Sequence, residues 1–147
     1  MSPDLTALHA PFHGRRSQRV AYGVAAAQAV VLLAAMTGLG EGLTWLDRAG
    51  FVLVAGAVAW FLSRLGGVAA WPSQEGIVVR NIFVTTRLTW EQVEKVNFGG
   101  GDPWVTLDLV GTAGEDRLAV MAIQRADGVW GRAEANRLAT LVALHRR

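Results

Sequence analysis

The residues whose chemistry could support catalysis or metal binding are few and scattered along the chain. His9 and His13 have the i,i+4 spacing of helical metal ligands, but Pro11 lies between them and no third ligand is nearby. The chain has no cysteine, which excludes thiolate metal sites, disulfides and a cysteine nucleophile. No serine lies in a Gly-x-Ser-x-Gly sequence, so a Ser-His-acid triad is not expected. We therefore predict no catalytic residues, no metal site and no enzymatic activity.

Two further patterns could indicate acid–base catalysis or phosphate binding. They are pairs of acidic residues and a run of glycines. Glu91 with Glu94, and Glu115 with Asp116, are spaced as neighbours, but general acid–base catalysis needs environments that separate two pKa values, and nothing marks either pair as buried. The run Gly99–Gly101 lacks the following Lys-Ser/Thr and helix of a phosphate-binding loop, so it predicts a hairpin loop. No cofactor and no small-molecule substrate is predicted.

The net positive charge of the chain comes from the residues before position 20, where three arginines accompany one acid. Of 147 residues, 52% are apolar and 18% are charged, below the roughly 25% usual for soluble domains. The sequence pI is about 9.9. After Arg64, however, nine basic residues balance nine acidic ones, so no basic face remains for a phosphate backbone. We therefore predict no nucleic-acid partner.

Two uncharged apolar runs predict a pair of transmembrane helices, spanning about 20–40 and 45–65. Val20–Gly40 is long enough, at 1.5 Å per residue, to cross a hydrocarbon core of about 30 Å. Its one strongly polar side chain is Gln28, whose amide a neighbouring helix could bond. The alternatives are a buried hairpin of a soluble protein and a cleaved export signal. So small a chain has little with which to bury helices apolar all round, and the first run is too long for a signal.

The arginines of the short flanking segments predict the orientation of these helices. Three arginines precede the first span, three follow the second, and the connecting loop has one arginine beside two acids. The positive-inside rule then places both termini in the cytoplasm. We expect a multi-pass protein of the cell membrane, with a cytoplasmic tail (1–18), a transmembrane hairpin (19–65) and a folded domain (66–147).

After residue 66 the pattern changes from continuously apolar to alternating. β-branched runs at 77–80 and 83–88, on either side of Asn81, predict a β-hairpin. Apolar residues at helical spacing over 130–144 predict an amphipathic C-terminal helix. Further strands are predicted at 68–71, 93–98, 104–110 and 117–123, with turns at 72–76, 99–103 and 112–116. The fold class is therefore α+β: antiparallel strands followed by one helix.

Two motifs stand out in this domain. The first is Gly-Ile-Val-Val-Arg-Asn at Gly76–Asn81, and the second is Arg-Leu-Thr-Trp-Glu-Gln-Val at Arg87–Val93. Together with the paired spans in front, residues 66–147 resemble the pleckstrin-homology (PH)-like domains of membrane proteins of high-GC Gram-positive bacteria. The resemblance implies a PH-like bent antiparallel sheet, or partly open barrel, of about 5–7 strands. In such domains a tryptophan, here Trp90, packs at a corner between two strands, and the C-terminal helix, here around Gly131–His145, plugs one end.

The resemblance does not extend to phosphoinositide binding. PH domains that bind inositol phosphates use a basic loop between their first two strands, whereas that loop here, Pro72–Gly76, is acidic, and Lys95 is the only lysine in the chain. The side chains that we expect to contact a partner or anionic lipid are Trp104, Arg80, Arg87 and Arg125.

We interpret the chain as a non-enzymatic integral membrane protein that presents a cytoplasmic PH-like domain for protein–protein interaction or scaffolding. Its expected partners are the lipid bilayer together with another protein or a second copy of the chain. The alternative is that the domain senses anionic lipid headgroups through its arginines.

Overall fold

The computed structural model describes residues 5–37, 41–111 and 116–146. The helices are α1 (Leu5–Leu8), α2 (Arg15–Met36), α3 (Trp45–Gly66) and α4 (Val129–His145). The strands are β1 (Phe12–His13), β2 (Ala69–Pro72), β3 (Gly76–Arg80), β4 (Thr85–Thr89), β5 (Val93–Asn97), β6 (Trp104–Leu109) and β7 (Arg117–Gln124). The end of the first predicted span (38–40) and most of the predicted turn at 112–116 lie outside the described residues.

The chain forms two compact units. One, the helical unit, is continuous and covers residues 17–67. The other is assembled from both sides of it, residues 1–16 and 68–147, and we call it the sheet domain. The sheet domain is therefore interrupted in sequence by the helical pair.

The two long helices of the helical unit are apolar and exposed. Each has 22 residues and is long and apolar enough to cross a membrane. In their most apolar stretches only 11% of α2 and 6% of α3 is buried, whereas the core helix of a soluble protein would be mostly buried. Gln28 Nε2 of α2 donates a hydrogen bond to the Ala55 carbonyl of α3 at 2.7 Å, as predicted for a polar group facing a partner helix.

The ends of these helices refine the predicted spans. α3 begins at Trp45 because Thr44 and Asp47 form a capping box, in which each side chain accepts a hydrogen bond from the backbone N–H of the other. This satisfies two donors that the first helical turn leaves without partners. α2 begins at Arg15 rather than near residue 20, so its first turn carries the arginines that precede the apolar run.

The sheet domain consists of two antiparallel sheets with an open arrangement. One has the order β1-β2-β3-β4 and the other β5-β6-β7. Alternation places Ile77 and Val79 of β3 in the core, as the period-two pattern predicts. At Gly76 the backbone of β4 approaches so closely that a Cβ would lie 2.0 Å from the Leu88 carbonyl oxygen. The predicted fold class is confirmed, in the form of two open bent sheets and not a closed barrel.

Helix α4 packs on the core through one face. Its buried residues Ala135, Leu138 and Leu141 belong to the same apolar cluster as Leu107 and Val93 of the second sheet. The first turn of α4 lies directly against the end of β7, since a Cβ on Gly131 would lie 2.1 Å from the Gln124 carbonyl oxygen. Only glycine at this position allows the helix to approach the sheet this closely.

The N-terminal segment is an integral part of the sheet domain. Phe12 is 0% exposed and belongs to the main core cluster. β1 pairs with β2 in antiparallel register, with Phe12 opposite Ala70 and His13 opposite Ala69. The sequence predicts a tail over 1–18, but its described part up to Arg16 packs with residues 68–146. A strand of two residues is too short to produce a detectable alternation, which is why the pattern does not reveal it.

The guanidinium of Arg137 on α4 holds this segment in place. It lies over the Phe12 ring at 3.8 Å and donates hydrogen bonds to the carbonyls of Leu8 (2.9 Å) and Ala10 (2.7 Å). It also forms an ion pair with Glu134 at 2.6 Å, and both of these charged side chains are largely buried. One planar cation thus satisfies two backbone carbonyls, a carboxylate and an aromatic face together.

The interruption of the domain leads to a prediction about which shortened chains fold. We expect residues 66–147 alone to be unstable, because removal of Phe12 opens a cavity worth about 3–5 kcal/mol. Replacing 17–67 by a short Gly/Ser linker of about four residues should instead give a folded, soluble domain, since His13 and Ala69 are directly paired. Circular dichroism followed during thermal unfolding distinguishes residues 66–147 alone from the linked chain, because only a folded domain unfolds cooperatively. A cooperative transition for 66–147 would contradict the prediction.

A second prediction concerns Arg137. Arg137→Ala should lower the free energy of unfolding by about 2–3 kcal/mol, because it leaves carbonyls and a largely buried carboxylate without their charged partner. Arg137→Lys should recover only part of this loss, because an ammonium cannot replace the planar fork. Hydrogen exchange by mass spectrometry should show faster exchange in β2. The control is Arg132→Ala, an exposed arginine of the same helix, and equal behaviour of the two alanine variants would refute the role of Arg137.

Candidate functional site

The outer face of the four-stranded sheet carries an aromatic, an aliphatic and a cationic side chain in one row. Trp71 of β2 pairs with Val78 of β3, and Val78 pairs with Arg87 of β4. Directly paired residues project to the same face, about 5 Å apart per strand. Trp71 is 38% exposed and Arg87 is exposed, while Ile77 and Leu88 beside them point to the core. We call Trp71, Val78 and Arg87 the outer row.

Arg80 lies on the same face, one pair further along the hairpin. Its partners in register are Ala69 and Thr85, so it is a diagonal neighbour of Arg87. Such diagonal neighbours lie about 7–8 Å apart, within reach of long side chains. Two of the four predicted contact residues therefore lie together, and both carry positive charge.

The hairpin that joins β3 to β4 ends in an apolar tip. Phe83 is 68% exposed and Val84 is 62% exposed. The tip is held by Asn81, whose backbone N–H donates to the Val84 carbonyl at 2.9 Å. The Asn81 side chain also bridges to β7 of the other sheet, donating to Ala119 O at 2.7 Å and accepting from Met121 N at 3.2 Å. The sequence predicts Asn81 as a turn residue, but not this connection between sheets.

Trp90 occupies the corner between β4 and β5 that the resemblance implies. It is 3% exposed, in a short 3-10 turn over Trp90–Gln92, and its Nε1 donates to the Ser73 carbonyl at 3.0 Å. Its ring stacks on the His145 ring at 5.0 Å between centroids. The His9 ring contacts His145 edge-on, with 5.3 Å between the centroids. The corner is thus fastened to the start of the domain and to the end of α4, a structural arrangement.

Trp104 and Arg125, the other predicted contact residues, lie together near the 99–103 loop. Trp104 pairs with Gln124, and Arg125 Nε donates to the Asp102 carbonyl at 2.8 Å while its guanidinium lies 5.2 Å from the Phe98 ring. Trp104 is only partly exposed, whereas Arg125 is exposed. The arginine already has protein partners here, which leaves fewer of its donors available for a ligand.

The glycine loop has its own internal hydrogen bonds. The Gly99 N–H donates to the Asp102 carboxylate at 3.2 Å, and the Asp102 N–H donates to the Gly99 carbonyl at 3.3 Å. A carboxylate occupies the position that a phosphate oxygen would need, and it would repel an anion. The loop is therefore a closed turn, in agreement with the hairpin loop that the sequence predicts.

A cleft lies beside the 72–76 turn. It is lined by residues of β3 and β4 together with Ser73, Glu75 and Gln92, and Arg87 is its one lining cation. Ser73 closes the turn by accepting from the Gly76 N–H at 3.2 Å. A phosphorylated headgroup needs several converging donors, and this cleft combines one arginine with an acid. Within the described residues, no three metal-ligating side chains cluster either.

The predicted contact residues thus form two separate pairs, Arg80 with Arg87 and Trp104 with Arg125. Sequence reasoning did not single out Trp71 or the exposed Phe83. The exposure of Trp71 could have been predicted from strand alternation in β2. Its neighbour Ala70 is buried, so Trp71 projects to the opposite face of the sheet. The exposure of Phe83 carries no sequence signal, because a β-branched and aromatic run equally fits a buried strand.

Two bent antiparallel sheets with a tryptophan corner and a capping C-terminal helix define a PH-like domain. Residues 73–140 match the profile of the family described as "Bacterial PH domain", which extends from the turn before β3 into α4. Residues 73–140 of the sheet domain are thus similar to that family, and two helices apolar enough to span a membrane precede the matched region. Comparison with curated proteins and with solved structures found no match.

A third prediction tests the bridge between the sheets. Asn81→Ala should lower the free energy of unfolding by about 1–3 kcal/mol, because it removes two hydrogen bonds to β7. Asn81→Asp should also be destabilising, since it can still accept from Met121 N but places a carboxylate oxygen against the Ala119 carbonyl. Asn136→Ala, an exposed asparagine on α4, is the control. Chemical unfolding followed by near-ultraviolet circular dichroism measures the difference, and an Asn81→Ala variant as stable as the control would disprove the bridge.

Proposed function

We propose that this protein is a non-enzymatic, membrane-anchored PH-domain protein whose sheet domain binds a protein partner at the cytoplasmic surface of the cell membrane. The observation that carries the proposal is the outer row, in which Trp71 and Arg87 flank Val78 on an exposed sheet face. Tryptophan and arginine are the residue types that most often dominate the binding energy of protein interfaces.

The pairing of β1 with β2 supports the anchoring part of the proposal. Because these strands are neighbours, the chain returns after α3 to the domain that it left before α2. Two crossings that begin and end in one folded domain must begin and end on one side of the membrane. The arginines of that side, Arg16, Arg19 and Arg64, favour the cytoplasm by the positive-inside rule.

The charge of the outer face favours an acidic partner. From Gly76 to Trp90 the chain carries two arginines and no acidic residue, and both arginines are on this face. An acidic segment with an apolar side chain could place its carboxylate on Arg87 and its apolar group on Trp71. The arginine provides a bidentate contact to the carboxylate, and the indole provides apolar contact area.

A second candidate function is the binding of anionic lipid headgroups, favoured by the same two arginines. Membrane-surface arginines are each worth about 1 kcal/mol toward anionic lipids. The acidic turn at 72–76 and the partners already held by Arg125 reduce the number of cations available for such binding. For this reason we rank it below protein binding.

A fourth prediction tests the outer row. The full-length protein is crosslinked in its own membranes, extracted with detergent, and its co-isolated proteins are quantified by mass spectrometry. Trp71→Ala should weaken the recovery of the partner about 30-fold, the effect of losing one dominant interface residue worth about 2 kcal/mol. Arg87→Glu should weaken it as well. The control is Trp130→Ala, because Trp130 is 41% exposed and so matches Trp71 at 38%; it lies on α4 and contacts Arg15, so it also measures the effect of losing an indole that holds the fold but is outside the outer row.

The outcomes separate the two functions. A protein recovered with wild type and with Trp130→Ala, but not with Trp71→Ala, supports protein binding at the outer row. Equal recovery by all variants contradicts it. Flotation of the linked 1–16/68–147 domain on vesicles with and without phosphatidylglycerol tests the second function. Binding that requires phosphatidylglycerol and is lost in Arg87→Glu would favour lipid sensing instead.

A further inference from the structure

The tip of the β3–β4 hairpin exposes two adjacent apolar side chains. Phe83 and Val84 are 68% and 62% exposed, although they are large enough to stabilise a core if buried. Exposed single apolar residues are common on soluble proteins, but adjacent ones at a hairpin turn form a wedge. Such a feature requires an explanation when the chain could have placed polar turn residues there.

The tip is held in one conformation. Asn81 closes the turn to Val84 through its backbone, and its side chain binds both Ala119 O and Met121 N of β7. A turn fastened at its base to the opposite sheet does not need to be ordered when it binds. The apolar side chains are therefore already organised for contact, and little entropy is lost on binding.

The register of the sheet places the tip at the edge where the chain leaves for the helices. His13 pairs with Ala69, Ala69 with Arg80, and Arg80 with Thr85. These four residues form one row, with neighbouring strands about 5 Å apart. Gly14 alone separates His13 from the start of α2, and only Gly67 and Val68 separate α3 from β2. Just beyond Arg80 and Thr85, at the same edge, lies the 81–84 tip.

The charges around the tip are suited to a phospholipid surface. Arg80 immediately precedes it and Arg87 follows it, while no acidic residue occurs from Gly76 to Trp90. Arginine side chains beside an apolar tip can reach phosphate groups while the apolar groups enter the acyl boundary. Arg80 and Arg87 are diagonal neighbours on one face of the hairpin that carries the tip, and an anionic headgroup layer matches this charge.

We infer that Phe83 and Val84 insert into the interfacial layer of the bilayer that holds α2 and α3. Arg80, the arginine next to the tip, then contacts lipid phosphates, and the domain has a fixed orientation on the membrane surface. This inference rests on the proposed membrane anchoring, but it does not depend on the protein partner. It is a contact of the sheet domain itself with lipid, in addition to the helices.

The absence of cysteine allows a direct test in the full-length protein. Val84→Cys introduces a single thiol, which is labelled with an environment-sensitive fluorophore, and the protein is reconstituted in phosphatidylcholine vesicles that contain phosphatidylglycerol. The matched control is Val110→Cys, because Val110 is a valine at 52% exposure that follows β6. The Val110 backbone N–H donates to the Gln92 carbonyl, in the 3-10 turn that follows β4. The tip precedes β4, so this contact is at the opposite end of that strand. Quenching by doxyl-labelled lipid and by aqueous iodide is measured for both.

We expect the probe at residue 84 to be quenched severalfold more by doxyl lipid and severalfold less by iodide than the probe at residue 110. Its emission should also shift to shorter wavelength. Adding Phe83→Asp to the Val84→Cys protein should return iodide quenching to the level of the control, since the charge opposes insertion. Both changes lie at exposed positions, so the fold is retained.

Three outcomes would overturn the inference. Equal iodide quenching at residues 84 and 110, in protein that remains in the vesicles after carbonate extraction, shows that anchoring holds but the tip does not insert. Protection from iodide without quenching by doxyl lipid shows that the tip is covered by protein, including a second copy of the chain. Release of the protein by carbonate shows that the helices do not anchor it, and the inference then fails together with the proposed function.

Discussion

Phe12 is fully buried in a core whose next member along the chain is Val68, and the packing of these two segments in one core is the constraint on which the rest of the architecture depends. It requires the chain to leave the domain before α2 and to return after α3. Arg137 reinforces the contact by binding the carbonyls of Leu8 and Ala10 while covering the Phe12 ring. The stability of the sheet domain therefore depends on contacts between the segment before α2 and the segment after α3.

The cost of inserting the helices at this point is small. Loop-closure entropy grows only with the logarithm of loop length, so an insertion between paired strands destabilises the pairing weakly. A helical hairpin also brings its own ends together, which reduces the cost further. The insertion affects the order of folding more than the stability. β1 can pair only after the helical pair and β2 have been synthesised. In a membrane, the helices would therefore be placed before the domain is complete.

The parts of the fold that sequence could predict are those with a repeated local signal. Strands β3 to β7 are β-branched and apolar runs that in part alternate, α4 has a helical period, and the two apolar helices are uncharged over most of their length, so the sequence predicts each close to its observed bounds. β1 could not be found, because two residues contain no period and Phe12 acquires its role only from pairing with Ala70. The site was predicted as four separate residues. Their division into two pairs, and the outer row with Trp71, follow from strand register, which a single strand's pattern does not specify.

The basic residues at the start of α2 have partners in the sheet domain. The Arg15 guanidinium lies over the Trp130 ring at 3.7 Å, and Arg16 donates to the Asp127 carboxylate and to the Ala126 carbonyl. In the sequence these arginines indicate only which side of a membrane is cytoplasmic. In the structure they are bound to the domain near the start of α4, so they remain on the same side as the domain. The charge that raises the pI of the chain thus also serves the attachment of the N-terminal segment to the sheet domain.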